Sequence, residues 1–109
     1  GADLTAASLD DASRRGANLQ RAMLTGASLR EARVSGTELQ RADLRASDLT
    51  GVEFDMVASI AGADFTMAQG LTPNSRGQLL GRSAGELDVW NGLTRNTTRR
   101  SLETDGAAG

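Results

Sequence analysis

The apolar residues in the first half of the chain recur with a period of five. Every leucine before residue 54 falls in one phase of this period, and Val34 and Phe54 share that phase. A small or β-branched residue, such as Ala22 or Thr37, lies two positions before each of them. Because a step of five residues advances an α-helix by about 500° and alternates faces in a strand, neither element buries this set on one side. The pattern instead predicts a chain that turns a corner about every five residues and points both residues inward.

A second period sets the number of sides. A shift of 20 residues gives more identities outside the alanine and leucine positions than shifts of 5, 10 or 15 do, including Gln20 with Gln40 and Arg21 with Arg41. Four sides of five residues therefore make one coil, and the central residues should form four interior stacks. The predicted core consists of Leu4, Leu9, Leu19, Leu24, Leu29, Val34, Leu39, Leu44, Leu49, Phe54, Ile60 and Phe65.

The phase slips by one residue after Phe54. The segment Asp55-Met56-Val57 holds one residue too many, and the pattern resumes with Ile60 and Phe65. We expect a one-residue bulge or a short loop at that corner. Insertions in solenoids often collect on a binding face, whereas Met56 and Val57 are as readily explained by local packing.

Four triplets of this run show a recurring motif of Ala, then Asp or Asn, then Leu or Phe: Ala2-Asp3-Leu4, Ala17-Asn18-Leu19, Ala42-Asp43-Leu44 and Ala63-Asp64-Phe65. The run resembles the pentapeptide-repeat family over about residues 2–70. The resemblance implies an all-β solenoid, a right-handed quadrilateral parallel β-helix of about three and a half coils over residues 1–70. It also implies that some relatives mimic duplex DNA and bind type II topoisomerases, which they protect from quinolones or peptide toxins.

The period ends at Gly70, and the residues that follow predict short helices. Thr72 and Pro73 have the residue types preferred at an N-cap and at the first helical position. Ser83-Ala84-Gly85-Glu86 matches a capping box and predicts a second helix over about residues 84–91, with Gly92 as its C-cap.

We expect residues 71–93 to form a short helical cap over the last coil, because the open end of a solenoid needs a cover. Trp90 either belongs to this cap or anchors a partner, and the segment could also mediate dimerisation. Residues 94–109 show no periodic apolar pattern, so we expect a mobile tail.

The composition excludes most kinds of catalysis. The 109 residues include no cysteine and no histidine, so thiol chemistry and imidazole bases are absent. Twelve basic residues, all arginine, oppose 14 acidic ones for a net charge of −2, which does not favour nucleic-acid binding. No apolar run approaches the roughly 18 residues of a membrane span. We expect a bacterial, cytoplasmic protein without a cofactor, a membrane segment or enzymatic activity.

Candidate chemistry is therefore limited to surface recognition. Arg21 and Arg41 stack as like charges and could hold a carboxylate or a phosphate, unless they are solvated or paired with a neighbour such as Glu38. Together with Trp90 they are the candidate contacts for an unknown protein partner. The acidic column of Asp3, Asp43 and Asp64 lacks the second set of ligands that a metal site needs.

Two functions remain open at the level of sequence. The first is a non-enzymatic structural or protein-interaction module. The alternative is a DNA mimic that binds a type II topoisomerase. Mimicry needs a long rod with a strongly acidic face. Here the predicted rod is short, and its acidic residues are interspersed with arginines.

Overall fold

Single parallel β-bridges stack successive turns of the repeat. The structure, a computed structural model, describes residues 18–54 and 56–106. Bridges follow one another at five-residue steps, and the first four join residues 20 apart, which marks four sides of one coil. The four are Asn18 with Glu38, Met23 with Asp43, Ser28 with Asp48, and Arg33 with Glu53.

Each corner is a tight turn closed by a backbone hydrogen bond. Ala22 N donates to Leu19 O at 3.0 Å, and the next corners repeat this contact. The third residue of the turn has a positive φ, as for Arg21 at +59° and Gly26 at +69°, which is the requirement of a type II turn. Glycine meets it without strain, whereas a residue with a Cβ in this conformation costs about 1–2 kcal/mol.

At several sides the polar residue before the central residue holds the corner that follows. Asn18 Oδ1 accepts a hydrogen bond from Gln20 N at 3.0 Å. Asp48 Oδ1 accepts from Thr50 N at 3.1 Å and from the Thr50 hydroxyl at 2.6 Å. Such side-chain acceptors reproduce the geometry of a backbone turn. The Asp or Asn of the motif therefore has a local role in shaping the coil.

The central residues and the small residues two positions before them fill the interior. Leu4 and Leu9 lie outside the described residues, and the other ten residues of the predicted core are buried. Phe54 and Phe65 meet edge to face, with ring centroids 6.0 Å apart. The narrow bore has room for one large side chain beside an alanine such as Ala22 or Ala42, both fully buried.

The extra residue of the insertion lies at Ala58, on a side of the coil. Val57 N still donates to Phe54 O at 3.3 Å, so the turn keeps its length, and Val57 is buried in the small-residue position. Ala58 is exposed, and Ser59 bridges Glu38 at a spacing of 21. Placing the surplus within residues 55–57 was therefore wrong, because Val57 fits the inward position; Asp55 itself is outside the described residues.

Three short helices and a hairpin follow the solenoid. Each helix contributes one buried leucine to the same core as the leucine stacks: Leu79, Leu87 and Leu102. The C-terminal segment, residues 71–106, thus shares one apolar core with the leucine stacks. Its elements are α1 (Pro73–Leu80), α2 (Ala84–Leu87), β1 (Trp90–Asn91), β2 (Asn96–Thr97) and α3 (Thr98–Gly106), with β1 antiparallel to β2.

The start of α1 is confirmed, since Thr72 Oγ1 accepts from Ser75 N at 3.0 Å. The second predicted helix was too long, because α2 ends at Leu87 and residues 90–91 belong to β1. The capping box was also wrong: the Ser83 side chain makes no capping hydrogen bond. The Glu86 carboxylate instead contacts the solenoid, where it accepts a hydrogen bond from Ile60 N at 2.9 Å.

Part of the predicted mobile tail, residues 94–109, packs into the interior within α3. Thr98, Ser101 and Leu102 are buried, and two of these three side chains are polar. The Thr98 hydroxyl donates to Ile60 O at 3.3 Å, and the Ser101 hydroxyl donates to Thr98 O at 2.7 Å. A search for apolar periodicity cannot detect a contact surface built from hydroxyl groups.

Side chains of the C-terminal segment complete the hydrogen-bond ladder of the last coil. In the coil below, Leu44 N donates to Asp64 O at 2.9 Å. One coil later, Phe65 N donates to Ser101 Oγ at 3.0 Å. Ile60 N and Glu86 Oε2 make the equivalent contact on the neighbouring side. Side-chain oxygens therefore stand where carbonyls of a further coil would be.

We expect Ser101→Ala to destabilise the protein by about 1–3 kcal/mol, because the buried Phe65 N–H loses its only protein acceptor among the described residues. Chemical denaturation measures the change. Ser83→Ala is the matched control, since Ser83 is exposed and makes no capping bond, and it should shift stability by no more than about 0.5 kcal/mol. Equal stabilities of the two variants would contradict a role for Ser101 in the ladder.

Candidate functional site

Arg21 and Arg41 occupy the same corner of two successive coils. Arg21 N donates to Gln40 O and Arg41 N to Ala61 O, each at 2.8 Å, so the backbones are stacked in register. Both residues are exposed, with φ of +59° and +57°. Within the described residues neither guanidinium forms an ion pair or a side-chain hydrogen bond, so the expected alternative of a pair with Glu38 is not formed.

Asn91 fastens the β1–β2 hairpin to this corner. Its side chain is 1% exposed, and its Nδ2 donates to Gly62 O at 2.8 Å and to Arg41 O at 3.3 Å. Its Oδ1 accepts from Leu93 N at 2.9 Å and from Thr94 N at 3.2 Å. One amide therefore links two solenoid coils to the hairpin turn and fixes the position of that turn.

The hairpin turn and the arginines enclose a groove. Arg21, Arg41, Asn91, Gly92 and Leu93 line it, and we call it the corner groove. Leu93 is 60% exposed in the hairpin turn. The groove thus combines two cationic groups with an apolar side chain.

The aliphatic part of Arg41 is held in place at the groove. A Cβ added to Gly62 would lie 3.0 Å from Arg41 Cγ and 3.1 Å from Val89 Cγ1. The absence of a side chain at Gly62 therefore lets the Arg41 stem and Val89 pack against its backbone. Only the guanidinium end of Arg41 is left to reach outward.

Of the three candidate partner contacts, the structure brings Arg21 and Arg41 together. Trp90 is 53% exposed and directly precedes Asn91 in β1, but it does not line the groove. Sequence analysis missed Asn91 and Leu93. The pair Asn91-Gly92 is a known hairpin signal, which here was interpreted as the end of a helix.

The acidic column is present, but its side chains do not form an outward acidic face. Asp43 bridges Asp64, and their side chains are 1% and 2% exposed. Asp43 accepts from Arg45 Nε at 2.8 Å and from Arg45 Nη2 at 2.7 Å, while Asp64 accepts from the Thr66 hydroxyl at 2.6 Å. Asp3 lies outside the described residues, and within the described ranges no three acidic side chains form a cluster suited to a metal ion.

The paired carboxylate of Asp43 makes stability depend on pH. Burial raises the pKa of Asp43, but the hydrogen bonds and charge of Arg45 and the Thr25 hydroxyl outweigh burial and hold this pKa below its ordinary value. A depressed folded-state pKa means that the unfolded chain binds more protons. The contribution of Asp43 is therefore complete above about pH 4, its unfolded pKa, and is lost as pH falls through the folded pKa.

We expect Asp43→Asn to destabilise the protein at neutral pH and to approach the wild type as the pH falls below about 4. Denaturation curves across this pH range give the difference. Glu53→Gln, at an exposed position in another column, is the control for a general change of charge. A difference between Asp43→Asn and wild type that stays constant with pH would contradict the assignment to the Asp43 carboxylate.

Comparison with known proteins points to one family. A model of pentapeptide repeats matches residues 1–36 and 27–57 with eight copies of the repeat. A pentapeptide repeat protein from the cyanobacterium Cyanothece 51142 is 33% identical, with a TM-score of 0.54 and coverage of 56% of this chain and 41% of that one. One from Nostoc Pcc 7120 is 29% identical, with a TM-score of 0.40 and coverage of 62% and 59%.

A third structure, a pentapeptide repeat protein from the thylakoid lumen of Arabidopsis thaliana, is 24% identical with a TM-score of 0.34 and coverage of 96% and 86%. The chain spans less than two thirds of the length of the two cyanobacterial proteins. A search of curated proteins found no match. None of the helices in the described part of the chain has the length and hydrophobicity of a membrane span.

Proposed function

Because the chain belongs to the pentapeptide-repeat family, we propose that it is a non-enzymatic module that binds a protein partner through the corner groove and Trp90. In this proposal residues 1–70 form a right-handed quadrilateral β-helix, as in the family, and the C-terminal segment caps its last coil. The observation that carries the proposal is the exposure of Leu93 and Trp90 on a hairpin that the buried Asn91 fastens to two coils.

A rigid apolar surface of this kind favours binding. A side chain that is already ordered loses less entropy when a partner covers it. Tryptophan and arginine are also the residues most often found to dominate interface energies. Trp90 is on the strand β1, and Leu93 follows it within the same hairpin. Two exposed apolar anchors are thus presented on one rigid element.

In this proposal the solenoid is a scaffold for the binding surface and has no catalytic role of its own. Its inward positions are occupied by packed apolar side chains such as Leu24 and Leu44. Its acidic side chains at Asp43, Asp48 and Asp64 hold corners through local hydrogen bonds. These carboxylates are engaged in structure, so they are poor candidates for proton transfer.

The alternative, mimicry of duplex DNA, finds less support. It would need acidic side chains in continuous rows facing solvent. Asp43 and Asp64 are buried instead, and Arg45 lies against them. In the neighbouring column Asp48 is approached by Arg30 at 4.0 Å. We expect no inhibition of gyrase supercoiling at low or physiological salt, and potent, salt-sensitive inhibition would favour the mimic.

Site-specific photo-crosslinking in the cells that produce the chain tests the interaction function. Benzoylphenylalanine is placed at Leu93 and, as the matched control, at Met56, which is 65% exposed on the solenoid. We expect a defined crosslinked protein from position 93 that is missing from position 56. Equal crosslinking from both positions, or none from position 93, would overturn the proposed function.

A further inference from the structure

We infer that the corner groove recognises an acidic protein segment, with carboxylates of the partner on Arg21 and Arg41 and an apolar side chain of the partner against Leu93. The inference rests on the proposed function, because it specifies the chemistry of the partner at the same site. Three features of the described residues lead to it: unpaired stacked cations, a restrained arginine stem, and an apolar wall.

The first feature is the charge of the corner. Two other arginines of the solenoid lie against acidic residues: Arg45 contacts Asp43 at 2.7 Å, and Arg30 lies 4.0 Å from Asp48. Arg21 and Arg41 differ, because the coil above Arg21 presents a second arginine at the same corner. With coils about 4.8 Å apart, the backbones of these two cationic residues are adjacent, and neither guanidinium has a counter-ion among the described residues. A carboxylate that reaches both would supply the missing counter-ion.

The second feature is the geometry available to the guanidinium groups. The Arg41 stem packs on Gly62 and beside Val89, so fewer of its rotamers must be frozen on binding. Arginine presents a planar fork of donors that matches the two oxygens of a carboxylate. Because Arg21 and Arg41 occupy one corner of successive coils, two acidic side chains that lie near each other on a partner segment could each meet one guanidinium.

The third feature decides between a protein and a nucleic acid. Leu93 forms an apolar wall of the groove, and Trp90 is exposed on the adjoining strand. A phosphate backbone gains nothing from an exposed leucine. A peptide that combines acidic and apolar side chains would use both kinds of contact.

Binding is measured by titration calorimetry, with the fluorescence of Trp90, the single tryptophan and the neighbour of Asn91 in β1, as a second readout. The intact chain is titrated with a synthetic peptide of repeated Glu-Glu-Leu triplets and with a matched Gln-Gln-Leu peptide. We expect the acidic peptide to bind saturably and about tenfold more tightly than the neutral one, with the difference shrinking at high salt. Equal affinities for the two peptides, or no binding of the acidic one, would overturn the inference.

Variants locate the contact. The double substitution Arg21→Gln with Arg41→Gln should weaken binding of the acidic peptide about tenfold or more, since two charge-assisted contacts are removed. Arg33→Gln is the control: Arg33 is also exposed, but its bridge partner in the next coil is the acidic Glu53. This control should bind within about twofold of the wild type, and melting curves verify that both variants are folded.

The outcomes separate this inference from the proposed function. A crosslinked partner at position 93 together with equal binding of both peptides would leave the interaction module standing and overturn the acidic preference. Binding of the acidic peptide that needs Arg21 and Arg41, without any crosslinked protein, would support the groove chemistry and overturn the module. Tighter binding of a duplex DNA than of the acidic peptide would overturn the choice of a protein ligand.

Discussion

Leu44→Asp is expected to abolish folding. Leu44 is 1% exposed in a stack between Leu24 and Phe65, both fully buried, so a carboxylate at this position has no path to water. Burying it costs several kcal/mol even after its pKa shifts, and the lost leucine burial adds about 2–3 kcal/mol. The sum is comparable to the whole stability of a domain of this size, about 5–15 kcal/mol. We expect circular dichroism to show no cooperative thermal transition.

Leu93→Asp is the matched control for this substitution. The chemical change is identical, but Leu93 is 60% exposed in the hairpin turn, so its carboxylate would remain hydrated. We expect its melting temperature to stay within a few degrees of the wild type. A folded Leu44→Asp variant, or a loss of folding in both variants, would be incompatible with the leucine stack as the core of the molecule.

After Leu44→Asp, Gly70→Ala is the substitution that we expect to lower the stability of the protein most. Gly70 follows Gln69 at the point where the chain leaves the solenoid, with a φ of +84°. An added Cβ would meet the Thr50 Oγ1 and lie 2.5 Å from Thr50 N and 2.6 Å from Thr50 Cα. The backbone atoms of a stacked coil cannot move aside as a flexible side chain would. This clash adds to the cost of the left-handed conformation, so we expect the free energy of unfolding to fall by at least about 2 kcal/mol.

The same change of glycine to alanine should have the opposite effect at Gly77, where we expect it to stabilise the protein. Gly77 lies within α1, and an added Cβ there would find nothing within 4 Å. Alanine should stabilise this helix by about 0.5–1 kcal/mol, because glycine has the greater conformational freedom in the unfolded chain. Melting curves of both variants provide the comparison. A Gly70→Ala protein as stable as the wild type would show that the exit from the solenoid tolerates a side chain.

The corners could have been foreseen in part. Glycine recurs two residues after the central position, at Gly26, Gly36, Gly51 and Gly62, and all four have positive φ. At other corners the same position is filled by Arg21, Glu31, Arg41, Ala46 and Met67, also with positive φ. Stacking against neighbouring coils imposes the turn there, against the intrinsic preference of the residue.

The C-terminal segment shows where pattern analysis fails. Thr72 and Pro73 predicted the start of α1, because capping is a local property of a few residues. The end of α2 and the hairpin were not predicted, because both depend on contacts with the solenoid. Glu86 accepts a hydrogen bond from Ile60 N, and Asn91 donates one to Gly62 O. These contacts join residues 26 and 29 positions apart, and local sequence preferences contain no information about such pairs.

The sequence by itself determined the five-residue side, the 20-residue coil, the leucine core and the family, because a solenoid repeats the same short-range contacts in every coil. The tertiary structure decided where the insertion lies, how Glu86 and Ser101 continue the ladder, and that Leu93 lies beside Arg21 and Arg41. These features depend on polar side chains that meet across long separations in the chain, where no period places them.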